Sequence, residues 1–422
     1  MPPDPEEPKI GGITMKPRKK PKLLAVLGAV LAISLAAASC GDDDDTPRAV
    51  PVSTAEAPAE EPAQAPAGED PFAGCGEGAV IDASDLSVGR PVARCEPGWP
   101  LPIPLEERTT INMSSGFKLE FIAPILLAEA FGEFEKENLD FNFISLGFSD
   151  AVSQVGTGDI DLAVGGTEAS LFNAIDNGFD VRWVSGNFFP PNAGDRTVAQ
   201  TGVWARADVF SDPANPDIAE LEGTTMASAV GLSSVIAYPI AQAFRPAGLV
   251  LGVDVAIERI PSTDMVLALE NNAVQSAWVL DPLWSVLAEA PDEYVLVTTQ
   301  PPGEPIGGLY GGPSCFDAKR DACVAFHRAI IRTINTYLTG DYHENAEVVE
   351  AIAGAIDRAP EQIAATPSLL FDWEIREGSA TRAQEAFISF TASGETVVEF
   401  DEPFPESQVV DRSIYLEAVG RG

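Results

Sequence analysis

The sequence predicts an α/β protein of two similar blocks followed by a helical tail. Three observations carry that reading. Short apolar strand candidates alternate with helical stripes from Lys118 onward. The alternation restarts at Thr224, after Glu222-Gly223. Past Pro301, Pro302, Gly303 and Pro305 the pattern turns mostly helical. Alternation with short connections means a mainly parallel sheet covered by helices.

The elements follow in order. Residues 118–122 (Lys-Leu-Glu-Phe-Ile) are the first strand candidate. Leu127, Phe131 and Phe134 share one helical face within 125–137. Phe141, Phe143 and Ile144 fall in the next strand, 151–157 is a short helix, and Leu162, Ala163 and Val164 form a small buried strand. Leu171, Ala174 and Ile175 make the apolar stripe of a helix over 167–177, and 181–184 is a strand. In the second block, strands are expected at 224–227, 256–260, 274–279 and 294–298. Helices are expected from Ser233, over 264–271, and from Pro282, a residue that suits a first helical turn. Residues 324–338 are the clearest helix of the tail, which is expected to pack on the first block. Trp183 and Trp204 lie in strands and are expected in the core.

Composition narrows the function. The chain has 422 residues, 45% hydrophobic and 21% charged, a globular composition with room for two or three compact units. Its 26 basic and 64 acidic residues give a net charge of −38. That field argues against nucleic acid as a partner and against a polybasic membrane contact. With only 2 His, His-rich metal sites are not expected, and no cofactor is implied. His327 reads as a core or surface histidine and His343 as a solvated one in a loop.

The N-terminus is an address. Lys16, Arg18, Lys19, Lys20 and Lys22 precede an apolar run over 23–39, shorter than the roughly 20 residues a spanning helix needs and suited to a secretory signal. The run ends Ala36-Ala37-Ala38-Ser39-Cys40-Gly41. Residues 1–14 carry no such signal, and Met15 is a second candidate start. After Asp42 to Asp45 comes a Pro/Ala/Glu-rich stretch to about Gly68, which reads as an extended tether. Four further cysteines, Cys75, Cys95, Cys315 and Cys323, allow three pairings. An exported chain favours two disulfides, and short separation favours Cys75–Cys95 and Cys315–Cys323.

Small residues before Cys40 resemble the lipobox of bacterial lipoproteins, which implies a lipid on Cys40; Ala37 stands where the family prefers Leu. Three further stretches resemble one another's order in a known group. They are Ala123-Pro124 leading to Phe134-Glu-Lys-Glu-Asn-Leu139, Gly158-Asp-Ile-Asp-Leu-Ala-Val-Gly-Gly-Thr-Glu-Ala169, and Ala268-Leu-Glu-Asn-Asn-Ala-Val274 with Trp278-Val-Leu-Asp-Pro282. Together they resemble the solute-binding proteins of ABC importers for sulfonates, taurine and nitrate, a group with relatives for thiamine-precursor pyrimidines. Val274-Gln275-Ser276 departs from the group's usual Val-Asp-Ala. The resemblance implies a periplasmic-binding-protein fold of type II, two α/β lobes around a ligand cleft, with crossings near 202–206 and 301–308. The expected organisation is a signal over 1–39, a tether over 40–68, an extension over 69–105, a discontinuous first lobe over 106–203 and 303–422, and a second lobe over 204–302.

Ligands of open α/β sheets sit beyond the carboxyl ends of strands, where helix N-termini favour anions. Gly165-Gly166-Thr167 follows one strand and offers a close backbone and a hydroxyl, with Glu168 at the mouth. Ser228, Ser233 and Ser234 surround Gly231 after another strand. Asp281 and Trp284, with Trp278, follow a third; Ser149 and Asp150 follow a fourth, and Pro124 enters through the first motif. Each turn could equally be a helix cap. The cleft shows no obvious Arg or Lys, so an amine-bearing or zwitterionic ligand is expected, its oxygens on Thr167, Ser228 and Ser233 and its amine on Glu168 or Asp281.

Enzyme signatures are missing. There is no G-x-S-x-G and no P-loop, and Gly156-Thr-Gly158 lacks the third glycine of a dinucleotide site. The expectation is a monomeric, lipid-anchored, extracytoplasmic binding protein that serves ABC permease subunits and is not an enzyme. A sensing or scaffolding lipoprotein and a pyrimidine-synthesis enzyme of the same fold remain as alternatives. Cys40→Ala should release the protein from the membrane fraction and abolish its lipid mass; a variant that still sediments with membranes, at unchanged mass, refutes the anchor.

Overall fold

The structure, a computed structural model, describes residues 69–87, 90–116, 118–189, 201–228, 231–234, 237–261, 264–279, 283–299 and 307–422. Cys40, the leader and tether, Asp281 and most of the expected return crossing lie outside them.

The first block runs β1 (Thr109–Ser115), α1 (Ala123–Ala130), β2 (Leu139–Ser145), α2 (Phe148–Thr157), β3 (Leu162–Gly166), α3 (Ala169–Asp176), β4 (Arg182–Gly186) and β5 (Phe188–Phe189). The second runs β6 (Gly202–Arg206), β7 (Thr225–Ser228), α4 (Ala237–Phe244), β8 (Ala256–Arg259), α5 (Met265–Glu270), β9 (Ser276–Val279), α6 (Trp284–Ala288) and β10 (Tyr294–Thr299). The chain then returns through β11 (Gly307–Gly311) to α7 (Arg320–Tyr337), α8 (Ala346–Ile356), α9 (Pro360–Ala364), β12 (Leu370–Phe371), α10 (Ser379–Phe390), α11 (Glu406–Val409) and α12 (Ser413–Ala418).

Two five-stranded sheets result, ordered β2-β1-β3-β11-β4 and β10-β6-β9-β7-β8. In the first, β1 runs parallel to β2 and β3, and β11 runs antiparallel to β3 and β4. In the second, β7 is parallel to β8 and β9, and β6 is antiparallel to β9 and β10. The antiparallel strands β6 and β11 each enter their sheet from the other lobe. Parallel strands covered on both faces are buried along their length. Trp183 and Trp204, in the antiparallel-paired β4 and β6, are in the core as well.

Four expectations change. The first strand is Thr109–Ser115, and 120–122 is a single 3₁₀ turn before α1. Thr-Thr-Ile-Asn-Met-Ser-Ser looks polar, yet Ser114 and Ser115 are buried between β2 and β3. Gly202–Arg206 is not a crossing but a strand of the second sheet, paired with Ser276–Val279. The helix expected from Ser233 starts at Ala237, after a turn. The tail does not pack on the first lobe alone. Its α7 lies on β1 and α1, but α10 packs against both α3 and α4. Phe387 meets Phe172 of α3 at 5.9 Å, and Glu385 meets Arg245, next to α4, at 3.6 Å.

The extension is a strap on the first lobe. Its own turn is joined by Cys75–Cys95, while Cys315–Cys323 joins the turn after β11 to α7. Asn335 Nδ2 donates to the Trp99 carbonyl at 3.0 Å, and Cys95 N donates to Asn335 Oδ1 at 3.1 Å. Beneath lies a buried ion network. Arg332 donates to Glu133 at 2.6 Å, to Glu137 at 2.8 Å and to the Pro100 carbonyl at 2.9 Å. Arg328 donates to Glu137 at 2.6 Å and to the Ile103 carbonyl at 2.9 Å. Further along the strap, Arg90 faces Asp372 at 3.5 Å and Glu374 at 3.6 Å, all three side chains buried. Asp161 of the second resembling stretch holds the opposite end of the sheet, accepting from Asn112 N, Lys319 Nζ and Ser314 Oγ. Among the described residues no helix is long and apolar enough to cross a membrane.

Removing one partner of a buried ion network strands the others. Arg332→Ala should therefore cost about 3–5 kcal/mol in denaturant unfolding; a loss below about 1 kcal/mol, the range of surface pairs, refutes the structural role given to this network.

Candidate functional site

The carboxyl ends of β2 and β3 build one wall. Gly165 lies under the Phe148 ring, where a Cβ would collide with the ring carbons. Phe148 meets Tyr310 at 4.5 Å, and Tyr310 meets Trp183 at 6.0 Å. Thr167 Oγ1 lies 3.3 Å from the Tyr310 hydroxyl, and both groups are buried. Burial raises the Tyr310 phenol far above its usual value, so it stays a neutral hydrogen-bonding group.

Glu168 occupies the cap position of α3, but its side chain makes no capping bond. The Ser149 and Ser170 hydroxyls instead each donate to Glu168 Oε1 at 3.1 Å. Burial raises its pKa, against the pull of those two bonds. No described group bonds Oε2. The first N–H of α3, on Ala169, donates to the Ser233 carbonyl of the second lobe at 3.0 Å. The two lobes therefore meet beside Glu168.

The other wall is the turn after β7. Ser228 is buried at the strand end, and its carbonyl accepts from Ile260 N at 3.1 Å. Ser234 N donates to the Gly231 carbonyl at 3.1 Å, closing the turn, and the Ser233 side chain is exposed. Against expectation, cations stand at strand ends. Arg259, the last residue of β8, lies over Gly231, and Lys118, beyond β1, sits 4.7 Å above the Phe143 ring. The signal for Arg259 was available: it occupies the carboxyl end of an expected strand, the position from which such sheets bind ligands.

The structure brings Ser149, Thr167, Glu168 and Ser233 together, with Gly166 at the end of β3. Ser228 and Ser234 flank the same turn. Pro124 is buried in the first turn of α1, where its missing N–H costs nothing. Trp284 is partly buried against the core of the second lobe, its indole N–H buried without a partner among the described residues. Trp278 in β9 is buried with the same orphaned N–H. Asp281 lies outside the described residues.

Neither histidine faces this seam. Burial lowers the His327 pKa to about 4, and its Nδ1 lies 2.7 Å from the Cys323 carbonyl, so it is a neutral core residue. His343 is not solvated but buried. Its Nδ1 lies 2.5 Å from the Thr366 carbonyl and its Nε2 2.6 Å from Glu120 Oε1, which also accepts from the Tyr342 hydroxyl at 2.5 Å. Two acceptors on one ring require both nitrogens to carry protons. Burial pulls its pKa down, but the Glu120 bond and charge outweigh that and the net shift is upward.

No protein-family model matches the chain, and no curated protein matches it in sequence. Solved structures do match it in three dimensions. The periplasmic aliphatic sulphonate binding protein SsuA from Escherichia coli aligns at TM-score 0.52 and 14% identity, covering 73% of this chain and 93% of that one. The fold is that of a periplasmic binding protein. The periplasmic-binding-protein fold is matched again in the ligand binding component of an ABC-type import system from Staphylococcus aureus, solved with zinc bound, at TM-score 0.52 and 12% identity over 74% of this chain and 100% of that one. The alkanesulfonate-binding protein SsuA from Xanthomonas axonopodis pv. citri, bound to MOPS, aligns at TM-score 0.50 and 14% identity over 73% of this chain and 100% of that one. The resemblance read from the sequence holds at the level of fold.

The buried acid and histidine set a pH dependence. Burial, then the neighbouring Asp372, raises the Glu374 pKa from 4.5 to about 7. Glu374 and His343 both hold a proton more tightly folded than unfolded. Each contributes stability that is full below its unfolded pKa and lost as pH rises through the folded one. For Glu374 that window runs from 4.5 to about 7; for His343 it lies above 6.5. His327, held down to about 4, works the other way and contributes stability as pH rises from about 4 to 6.5, so it offsets Glu374 there. Glu374→Gln should expose that His327 rise below 6.5, and the wild-type melting temperature should fall as pH rises from 6.5 to 8. A wild-type melting temperature that rises with pH over this range contradicts the assignment.

Proposed function

We propose that the protein is the extracytoplasmic solute-binding component of an ABC importer, not an enzyme. In this reading the lipid on Cys40 holds it to the outer face of the bacterial membrane, and it serves the permease as a single chain. The solute is small and polar and carries an amine, as a taurine-like zwitterion or an aminopyrimidine does. The three solved structures reported above are all described as binding proteins, which supports the general reading.

The observation that carries the ligand class is Glu168. Its carboxylate does not cap its helix and meets no cation among the described residues, and two serine hydroxyls hold it at the point where the lobes touch. Taking a carboxylate out of water without a counter-charge is costly. A ligand amine supplies that counter-charge only when the lobes enclose it. The ligand thereby selects the closed arrangement, the form a permease can read.

Calorimetry with taurine, an aminopyrimidine, nitrate and ethanesulfonate tests this. An amine-bearing compound should bind best, and Glu168→Gln should weaken it by about 1.5–3 kcal/mol, the range for a charged hydrogen bond. Nitrate or ethanesulfonate binding more tightly than either amine, with Glu168→Gln neutral, would sink the proposal.

A further inference from the structure

We infer that Arg259 is the anion anchor of the seam. The inference rests on the binding-protein reading and completes its ligand class: an acid at one end, an amine at the other.

Position comes first. Arg259 ends β8 directly opposite Ser228, which ends β7, so both stand at the same carboxyl edge of the second sheet. Two residues past Gly231 in the turn that follows β7, the Ser233 carbonyl takes the Ala169 N–H of the first lobe. Arg259 and Glu168 therefore approach one seam from opposite lobes with opposite charges.

Packing is the second point. A Cβ on Gly231 would lie 3.1 Å from both Nε and Nη2 of Arg259 and 3.2 Å from Cζ. Three atoms of one plane at nearly equal distance mean that the guanidinium lies face-on over this glycine. Its edge, which carries the N–H fork, is left for a partner. A methyl group at 231 would sit tight against the plane, and the exposed guanidinium would have to give by a few tenths of an ångström.

The third point is the missing partner. In a chain with 64 acidic and 26 basic residues, carboxylate partners are plentiful. Arg108, Arg182, Arg206 and Arg320 each have one, at 2.7–2.9 Å. Arg259 has none among the described residues. The planar fork matches the paired oxygens of a sulfonate, carboxylate or phosphonate. With Glu168 opposite, the matching class is a short amino acid or aminosulfonate whose two poles span the seam.

Three probes separate the poles: taurine carries both, ethanesulfonate only the anion, ethanolamine only the amine. Binding is measured by calorimetry on the folded protein, checked by circular dichroism. Arg259→Gln should weaken taurine and ethanesulfonate by at least about tenfold, one charged hydrogen bond, and leave ethanolamine unchanged. Glu168→Gln should spare ethanesulfonate and weaken the other two. Gly231→Ala keeps the charge and asks the guanidinium to give by only a few tenths of an ångström, so it should weaken the two anions far less than Arg259→Gln. Arg259→Lys should restore part of the loss. If Arg259→Gln binds taurine as tightly as wild type while Glu168→Gln does not, the anchor is wrong and the amine reading stands. If the wild type binds none of the three probes, both fail.

Discussion

Four charges buried between α1, the turn before β2, and α7 hold the first lobe together. Glu133 and Glu137 face Arg328 and Arg332, and none of the four side chains is more than 6% exposed. Such a group is costly to desolvate and persists only when its hydrogen bonds are complete. The carboxylates do not complete them alone. The carbonyls of Pro100 and Ile103, both in the extension, each take a further guanidinium proton. The strap is thus part of the electrostatics of the core. Losing it would leave arginine donors buried and orphaned, a larger penalty than losing an ordinary surface segment.

The C-terminal tail adds a second constraint. A two-lobed binding protein opens by rotating its lobes about the crossings. Here α10 touches α3 of one lobe and α4 of the other, and β12 pairs with β5 where the chain leaves the first lobe. Opening must slide α10 over one of these helices or carry it along with one lobe. The contacts at risk are the Phe172–Phe387 ring contact on one side and the exposed Arg245–Glu385 pair on the other. Exposed pairs contribute little, so apolar packing sets the resistance to motion.

The seam between the lobes is polarised although the chain as a whole is strongly acidic. A carboxylate stands at the N-terminus of α3 and a guanidinium at the end of β8. Backbone groups, the Ala169 N–H and the Ser233 carbonyl, form the direct bond between them. That bond occupies a helix N-terminal donor of the kind that binds anions elsewhere. The acidic surface and the basic anchor do not conflict, because screening confines the surface field to about a Debye length while the seam acts at hydrogen-bond range.

The sequence by itself determined what depends on local pattern. The alternation from Phe141 onward and the restart after Gly223 are encoded within a few neighbouring residues, whereas Gly165 and Gly166, expected as a turn, end β3 as paired strand residues. Strand and helix periods, turn chemistry and signal segments are properties of short windows. What only the tertiary structure decided depends on distant partners. Thr109–Ser115 is a central strand because two flanking strands bury its serines, not because it is apolar. His343 is buried and doubly bonded because Glu120 and Thr366 come from elsewhere in the chain. Arg259 lies over Gly231 because that glycine sits in a turn after another strand. In each case the side chain's state is set by groups that only folding brings within hydrogen-bond or van der Waals reach, and no local window contains them.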